Sequence, residues 1–160
     1  MQNELLTKGT LAKKASYKLS VTDAETKNKA LLAIADALEA NCERILTANQ
    51  ADLDNAEKNG MTKAMLDRLR LTKERISSMA EGVRQVAALP DPIGEIIDEW
   101  ERPNGLKIAK KRVPMGVIAI IYEARPNVTV DAGALCLKTS NAVVLRGGSE
   151  AIRSNVEIMK

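Results

Sequence analysis

The sequence predicts an α/β fold: helices first, then a β-hairpin, then one βαβ unit that opens a larger parallel sheet. Three observations carry this. Charge is concentrated early, with 36 of the 45 charged residues before Val113. Two short apolar runs, 117–121 and 142–145, lie in the charge-poor remainder and read as strands buried on both faces. A helical stretch over 128–138 separates them, and a strand–helix–strand crossover makes its strands parallel.

The elements follow in order. Leu5, Ala12, Ala15 and Leu19 mark a first amphipathic helix. Thr22 and Glu25 have the spacing of a capping box, and Leu31, Ile34 and Leu38 line one face behind it. Asn41 caps a third helix carrying Ile45, Leu46, Leu53 and Ala56, which stops at Gly60. Thr62 opens a short turn of helix through Leu69. Thr72 caps a longer helix with Ile76, Met79, Val83 and Val86 on one side. Leu89-Pro90-Asp91-Pro92 ends it, because proline lacks the amide and disfavours helix in the residue before it.

Asn104-Gly105 suits a two-residue type I′ turn. That turn pairs Glu99 with Lys110 and Asp98 with Lys111, setting an acidic strand against a basic one. The run Lys107, Lys110, Lys111, Arg112 can instead be read as an anion or nucleic-acid patch. The paired ribbon is favoured because the matching acids stand in the other strand.

Composition excludes several functions. At 160 residues, 45% hydrophobic and 28% charged, the chain is an ordinary soluble domain. Its longest uncharged stretch, ten residues over 113–122, falls short of the roughly 20 that span a membrane. No apolar leader stands at the N-terminus, and the two cysteines form no disulfide framework, so a cytoplasmic location is expected. Histidine is absent, which removes His-based triads, His-ligated zinc and a His general base. No metal is expected. Phenylalanine is absent and aromatics total 2%, so no stacking platform for nucleic acid exists, and the net charge of +3 is mild. The expected partner is a small-molecule substrate.

Two loops could carry chemistry. Gly147-Gly148-Ser149, with Arg146 beside it, lies between a strand and a helix, where backbone amides can approach a phosphate. A plain tight turn explains the same residues equally well. Glu123-Ala124-Arg125-Pro126-Asn127 sits at the carboxyl end of the first buried strand, the edge where open α/β sheets bind ligands. Arg125 could hold a phosphate or carboxylate through its planar fork, and Asn127 could donate to an oxyanion. Asn127 could also simply cap a helix starting at Val128. Asp131 and Lys138 are expected near the same edge, without a spacing that specifies a reaction. Cys136, between two leucines, and Cys42 both read as structural.

Four stretches resemble a known family: Ile45-Leu46-Thr47-Ala48-Asn49 followed by Asp52-Leu53; Leu66-Asp67-Arg68-Leu69; Leu89-Pro90-Asp91-Pro92-Ile93-Gly94; and GVIAIIYEARPNVTVDAGALCLKTSNAVVLRGGSEA over residues 116–151. They resemble the γ-glutamyl phosphate reductase family of the aldehyde dehydrogenase superfamily, in unbroken order along the chain. The resemblance implies an aldehyde-dehydrogenase-like fold with part of a Rossmann-like sheet. It implies NADPH-dependent reduction of L-glutamyl 5-phosphate to L-glutamate 5-semialdehyde in proline biosynthesis. Asn127 resembles the superfamily's oxyanion-hole asparagine. Arg146 and Ser149 stand where a Lys-Pro-x-Glu motif meets the adenosine ribose. A serine in place of the glutamate does not repel a 2′-phosphate, which agrees with NADP.

The implied organisation is a partial NADP-binding domain: a helical segment over 1–93, an oligomerisation hairpin over 94–113 and the first βαβ unit over 114–160. Family members are more than twice this length, and their nucleophilic cysteine lies beyond residue 160. An N-terminal portion without its own activity is therefore expected. The alternative is a non-catalytic helical interaction module or regulatory remnant.

Overall fold

A computed structural model describes residues 2–160, with side chains from Glu4 onward. Five helices come first: α1 (Gln2–Leu19), α2 (Ala24–Ala40), α3 (Cys42–Lys58), α4 (Lys63–Leu69) and α5 (Lys73–Ala88). The hairpin strands β1 (Ile96–Glu101) and β2 (Lys107–Lys111) follow. Then come β3 (Val117–Ile121), α6 (Pro126–Lys138), β4 (Ala142–Arg146), a 3-10 turn (Ser149–Ala151) and α7 (Ile152–Ile158). No helix among the described residues is long and apolar enough to cross a membrane.

The expected helices form, and the threonine caps work as expected. Thr62 Oγ1 accepts from the Met65 amide and Thr72 Oγ1 from the Arg75 amide. Each such cap stabilises its helix by about 1 kcal/mol. Gly60 follows α3 at φ 74°, the left-handed residue that ends a helix.

Two cap assignments need correction. Asp23, not Thr22, caps α2, accepting the Thr26 amide at 2.7 Å. Thr22 still belongs to the end of α1, where its hydroxyl donates to the Lys18 carbonyl at 2.8 Å. Asn41 stands at the start of α3 but caps no amide there. Its Nδ2 donates back to the Ala37 carbonyl of α2 at 2.8 Å, and its Oδ1 accepts from Arg44 at 3.1 Å. The buried face of α2 also differs from expectation: it is Lys27, Leu31, Ala35 and Leu38, while Ile34 turns outward.

The hairpin forms in a different register. Asp98 lies opposite Lys110, Glu99 opposite Ala109, and Glu101 opposite Lys107. The cause is Pro103. Its fixed φ suits the second position of a type I turn. The loop is therefore the three residues Pro103-Asn104-Gly105, closed by the Gly105 amide on the Arg102 carbonyl at 2.9 Å. Gly105 takes the left-handed conformation at φ 83°, and Asn104 does not. One added loop residue shifts every pair by one. A further irregularity at Ile97 brings Ile96 opposite Lys111.

β3 and β4 pair in parallel, from Val117 opposite Ala142 to Ile121 opposite Arg146. In this two-stranded sheet β3 is not buried on both faces: its residues alternate between exposed and half-buried. α1 packs over the sheet, α2 against α5 and α6, and α3 against α7. One apolar core joins Leu31, Leu38, Ile76 and Val83 of the early helices to Val130 and Ala134 of α6. α6, which carries the candidate site at its start, is thus seated on the helical segment.

Candidate functional site

The site is built where β3 ends. The Tyr122 amide donates to the Arg146 carbonyl at 3.1 Å, which carries the strand pairing one residue past β3. The chain then turns into α6 with Arg125 at the cap position and buried Pro126 at the first helical one, where a missing amide costs nothing. The helix thus begins two residues earlier than expected. Asn127 lies within the first turn rather than before it, so its reading as a cap fails. Half-buried, it donates Nδ2 to Asp131 Oδ2 at 3.1 Å, one turn along.

Arg125, Asn127 and Asp131 face an open cleft of about 420 Å³ whose opposite wall comes from α4, α5 and their connection. Asp67, Arg68, Arg70 and Arg75 stand on that wall. Asp67 and Arg68 belong to the second family-like stretch, but no pattern in the sequence gave any of the four a place in a site. Lys138, expected near the same edge, lies instead at the far end of α6. There it is buried, donating to Asn28 Oδ1 at 2.8 Å and the Ala87 carbonyl at 2.9 Å.

The second candidate loop lies at the same strand end but opens on the other side of α6. Gly147 and Asn155 line an apolar groove with Thr129 and Gly133 of α6, and with Leu11 and Ala15 of α1. Exposed Arg146 is the last residue of β4, opposite Ile121. Gly147 is required by a close approach: any Cβ there would collide with Asn155 Nδ2. Asn155 is held by a relay, in which Thr129 Oγ1 donates to its Oδ1 at 3.0 Å and shares a hydrogen bond of 2.6 Å with the Tyr122 hydroxyl. Its buried Nδ2 has no partner among the described residues.

The Glu150 side chain folds over Gly148, and Ser149 Oγ donates to Glu150 Oε2 at 3.4 Å. Exposed Arg146 and Ser149 fit a phosphorylated ribose. The Glu150 carboxylate sits over the glycine backbone and would have to swing aside, as a long flexible side chain can. A 3-10 turn, not an α-helix, follows Gly148 directly.

The two thiols differ in burial. Cys136 is buried, and burial pushes its pKa up, away from a reactive thiolate. Cys42 is half-buried at the start of α3.

Asn49 and Asp52, in the first of the four family-like stretches, also prove structural. Asn49 Nδ2 donates to the Leu69 carbonyl at 2.9 Å, and its Oδ1 accepts from the Leu71 amide at 2.8 Å. Asp52 Oδ2 accepts from both the amide and the hydroxyl of Ser154, each at 2.8 Å. Both side chains are buried ties between distant segments.

No protein-family model matches the chain. It is 60% identical over 158 residues to the gamma-glutamyl phosphate reductase of Heliobacterium modesticaldum, covering 99% of this chain and 38% of that protein. With the reductase of Clostridium novyi it shares 56% over 160 residues, covering 100% of this chain and again 38% of the relative. The chain is homologous to gamma-glutamyl phosphate reductase.

The fold agrees. The crystal structure of the Thermotoga maritima gamma-glutamyl phosphate reductase superposes with a TM-score of 0.95 at 44% identity, covering 97% of this chain and 37% of that one. The Saccharomyces cerevisiae reductase gives 0.91 at 35% identity, covering 95% and 39%. The chain corresponds to the N-terminal part of these reductases and spans about 38% of the curated relatives' length.

Proposed function

We propose that the intact protein reduces L-glutamyl 5-phosphate to L-glutamate 5-semialdehyde, releasing phosphate, with NADPH as reductant, in the cytoplasmic synthesis of proline. One observation carries the reading: identity of 56–60% to gamma-glutamyl phosphate reductases over 99–100% of this chain.

The residues of this chain then take the following roles. Asn127, fixed in the first turn of α6 by Asp131, has a second amide hydrogen free to meet the acyl oxygen as it gains negative charge. Arg125 binds an anionic group of the substrate. Arg146 and Ser149 hold the ribose phosphate of NADP, and Gly147 and Gly148 keep the loop low enough for it to approach. NADPH supplies the hydride. The nucleophilic thiol is assigned outside these 160 residues, in keeping with the burial of Cys136. The hairpin, with Ile96, Ile97, Trp100 and Leu106 all exposed, is the surface for a second copy.

The test is an assay of the protein expressed from its complete reading frame. NADP- and phosphate-dependent oxidation of glutamate semialdehyde is the expected result. A folded intact protein without that turnover refutes the reading and leaves a non-catalytic helical module.

A further inference from the structure

We propose that Arg68 and Arg70, from the α4–α5 connection, join Arg125 in a binding site for a phosphate dianion. The inference rests on the reductase reading and deepens it: this is where the phosphoryl group of the substrate is held and where phosphate stands on release.

Charge in the cleft favours a dianion. Four arginines and two aspartates line it. Arg75 and Asp67 satisfy each other at 3.0 Å, and Arg75 also donates to the carbonyls of Asp67 and Arg70. Asp131 is taken by Asn127. Arg68, Arg70 and Arg125 pair with no carboxylate among the described residues. Three free guanidiniums against one carboxylate leave a surplus of two positive charges. A phosphate dianion balances that surplus, and a single carboxylate does not. The planar fork of arginine suits phosphate oxygens in particular.

The wall is also built, not merely basic. Leu69 and Leu71 are buried, so the alternate positions Arg68 and Arg70 face outward. Buried Asn49 grips the backbone on both sides of Arg70, through the Leu69 carbonyl and the Leu71 amide. Arg75 fixes the carbonyl of Arg70 itself at 2.7 Å. The backbone that carries the charged pair is thus held at three points, which fixes where both side chains start.

The experiment is titration of the intact protein with inorganic phosphate at low ionic strength, by calorimetry and phosphorus NMR. The Arg68→Gln/Arg70→Gln double variant and Arg125→Gln should each bind phosphate at least about tenfold more weakly, the step that 1.4 kcal/mol represents. The hairpin variant Lys110→Gln/Lys111→Gln, with the same change in net charge as the double arginine variant, should bind as the parent does. The exposed arginines can change without loss of fold, which circular dichroism checks. Three results overturn the proposal: no binding by the folded parent protein, equal binding by the arginine variants, or acetate competing as well as phosphate. Loss of phosphate binding with intact reductase turnover sinks this site alone. Phosphate binding by an intact protein that does not reduce the acyl phosphate keeps the site and sinks the reductase reading.

Discussion

Asp91→Asn removes one charge from a buried cluster and should destabilise the fold by a predictable amount. Lys27 Nζ is 2.6 Å from Asp91 Oδ2, with the lysine side chain 1% exposed and the aspartate 17%. The ammonium also donates to Ser140 Oγ at 2.8 Å and to the Lys138 carbonyl at 3.2 Å. Asparagine is nearly isosteric and keeps an acceptor, so the loss is the countercharge rather than the packing. Breaking a buried pair costs about 3–5 kcal/mol, and partial solvent access to Asp91 argues for the lower figure. At 2–4 °C per kcal/mol, a loss of about 3 kcal/mol lowers Tm by roughly 6–12 °C.

The pH dependence supplies the control. Burial alone would push the Asp91 carboxyl up. The Lys27 hydrogen bond, the Ile93 amide and the charges of Lys27 and Lys138 together hold it below the usual aspartate value. A depressed folded pKa stabilises above the unfolded value, near 3.9, and that stability is lost as pH falls through the folded one. Parent and variant should therefore differ fully at pH 7 and converge in acid. Urea unfolding at pH 7 and pH 2.5 measures both. A difference under about 1 kcal/mol at pH 7, or one that persists unchanged in acid, refutes the reasoning. Lys27→Met/Asp91→Leu, which removes both charges, should recover most of the loss.

Gly147→Ala should destabilise the chain because its Cβ meets Asn155 Nδ2. Adding Asn155→Ala should restore part of the lost Tm, and failure to do so means that the close approach is not the cause. On the proposed reductase reading, Asn127→Ala in the intact protein should lower kcat by roughly 10²–10³ with little change in NADPH affinity. Since Asn127 caps no helix, unchanged turnover removes its catalytic role outright. Cys42→Ser and Cys136→Ser should leave the proposed reductase turnover of the full-length protein unchanged, and its abolition by either would overturn the structural reading of that thiol.

What was legible in the sequence was mostly local. Thr62 and Thr72 stand alone before helical periodicity, and both cap as expected. Thr22 and Asp23 compete as neighbours, and the sequence does not say which belongs to the preceding helix. The hairpin was legible but its register was not, because Pro103 outweighs the Asn-Gly signal by lengthening the loop. The β3 end and Arg125 were found from strand-edge logic. Arg68 and Arg70 were not, because their relation to Arg125 exists only after α5 and α6 pack together. Lys27 reads as a surface residue until the face it shares with Leu31, Ala35 and Leu38 is seen to be buried.

The buried polar ties have a consequence for the order of events during synthesis. Asp52 waits for Ser154, Asn49 for the same serine, and Lys27 for Ser140, separations of 102, 105 and 113 residues. At about 5–20 residues per second, each early helix emerges from the ribosome roughly 5–20 s before its partner. During that interval Asp52 remains hydrated, and α3 cannot settle into final packing without stranding a charge, while Lys27 has its countercharge Asp91 but lacks the Ser140 and Lys138 oxygens that complete its burial. The nascent helices are thus held open until the segment that follows α6 arrives. A stall or cleavage before residue 154 should therefore yield a loosely packed helical intermediate rather than a finished subdomain.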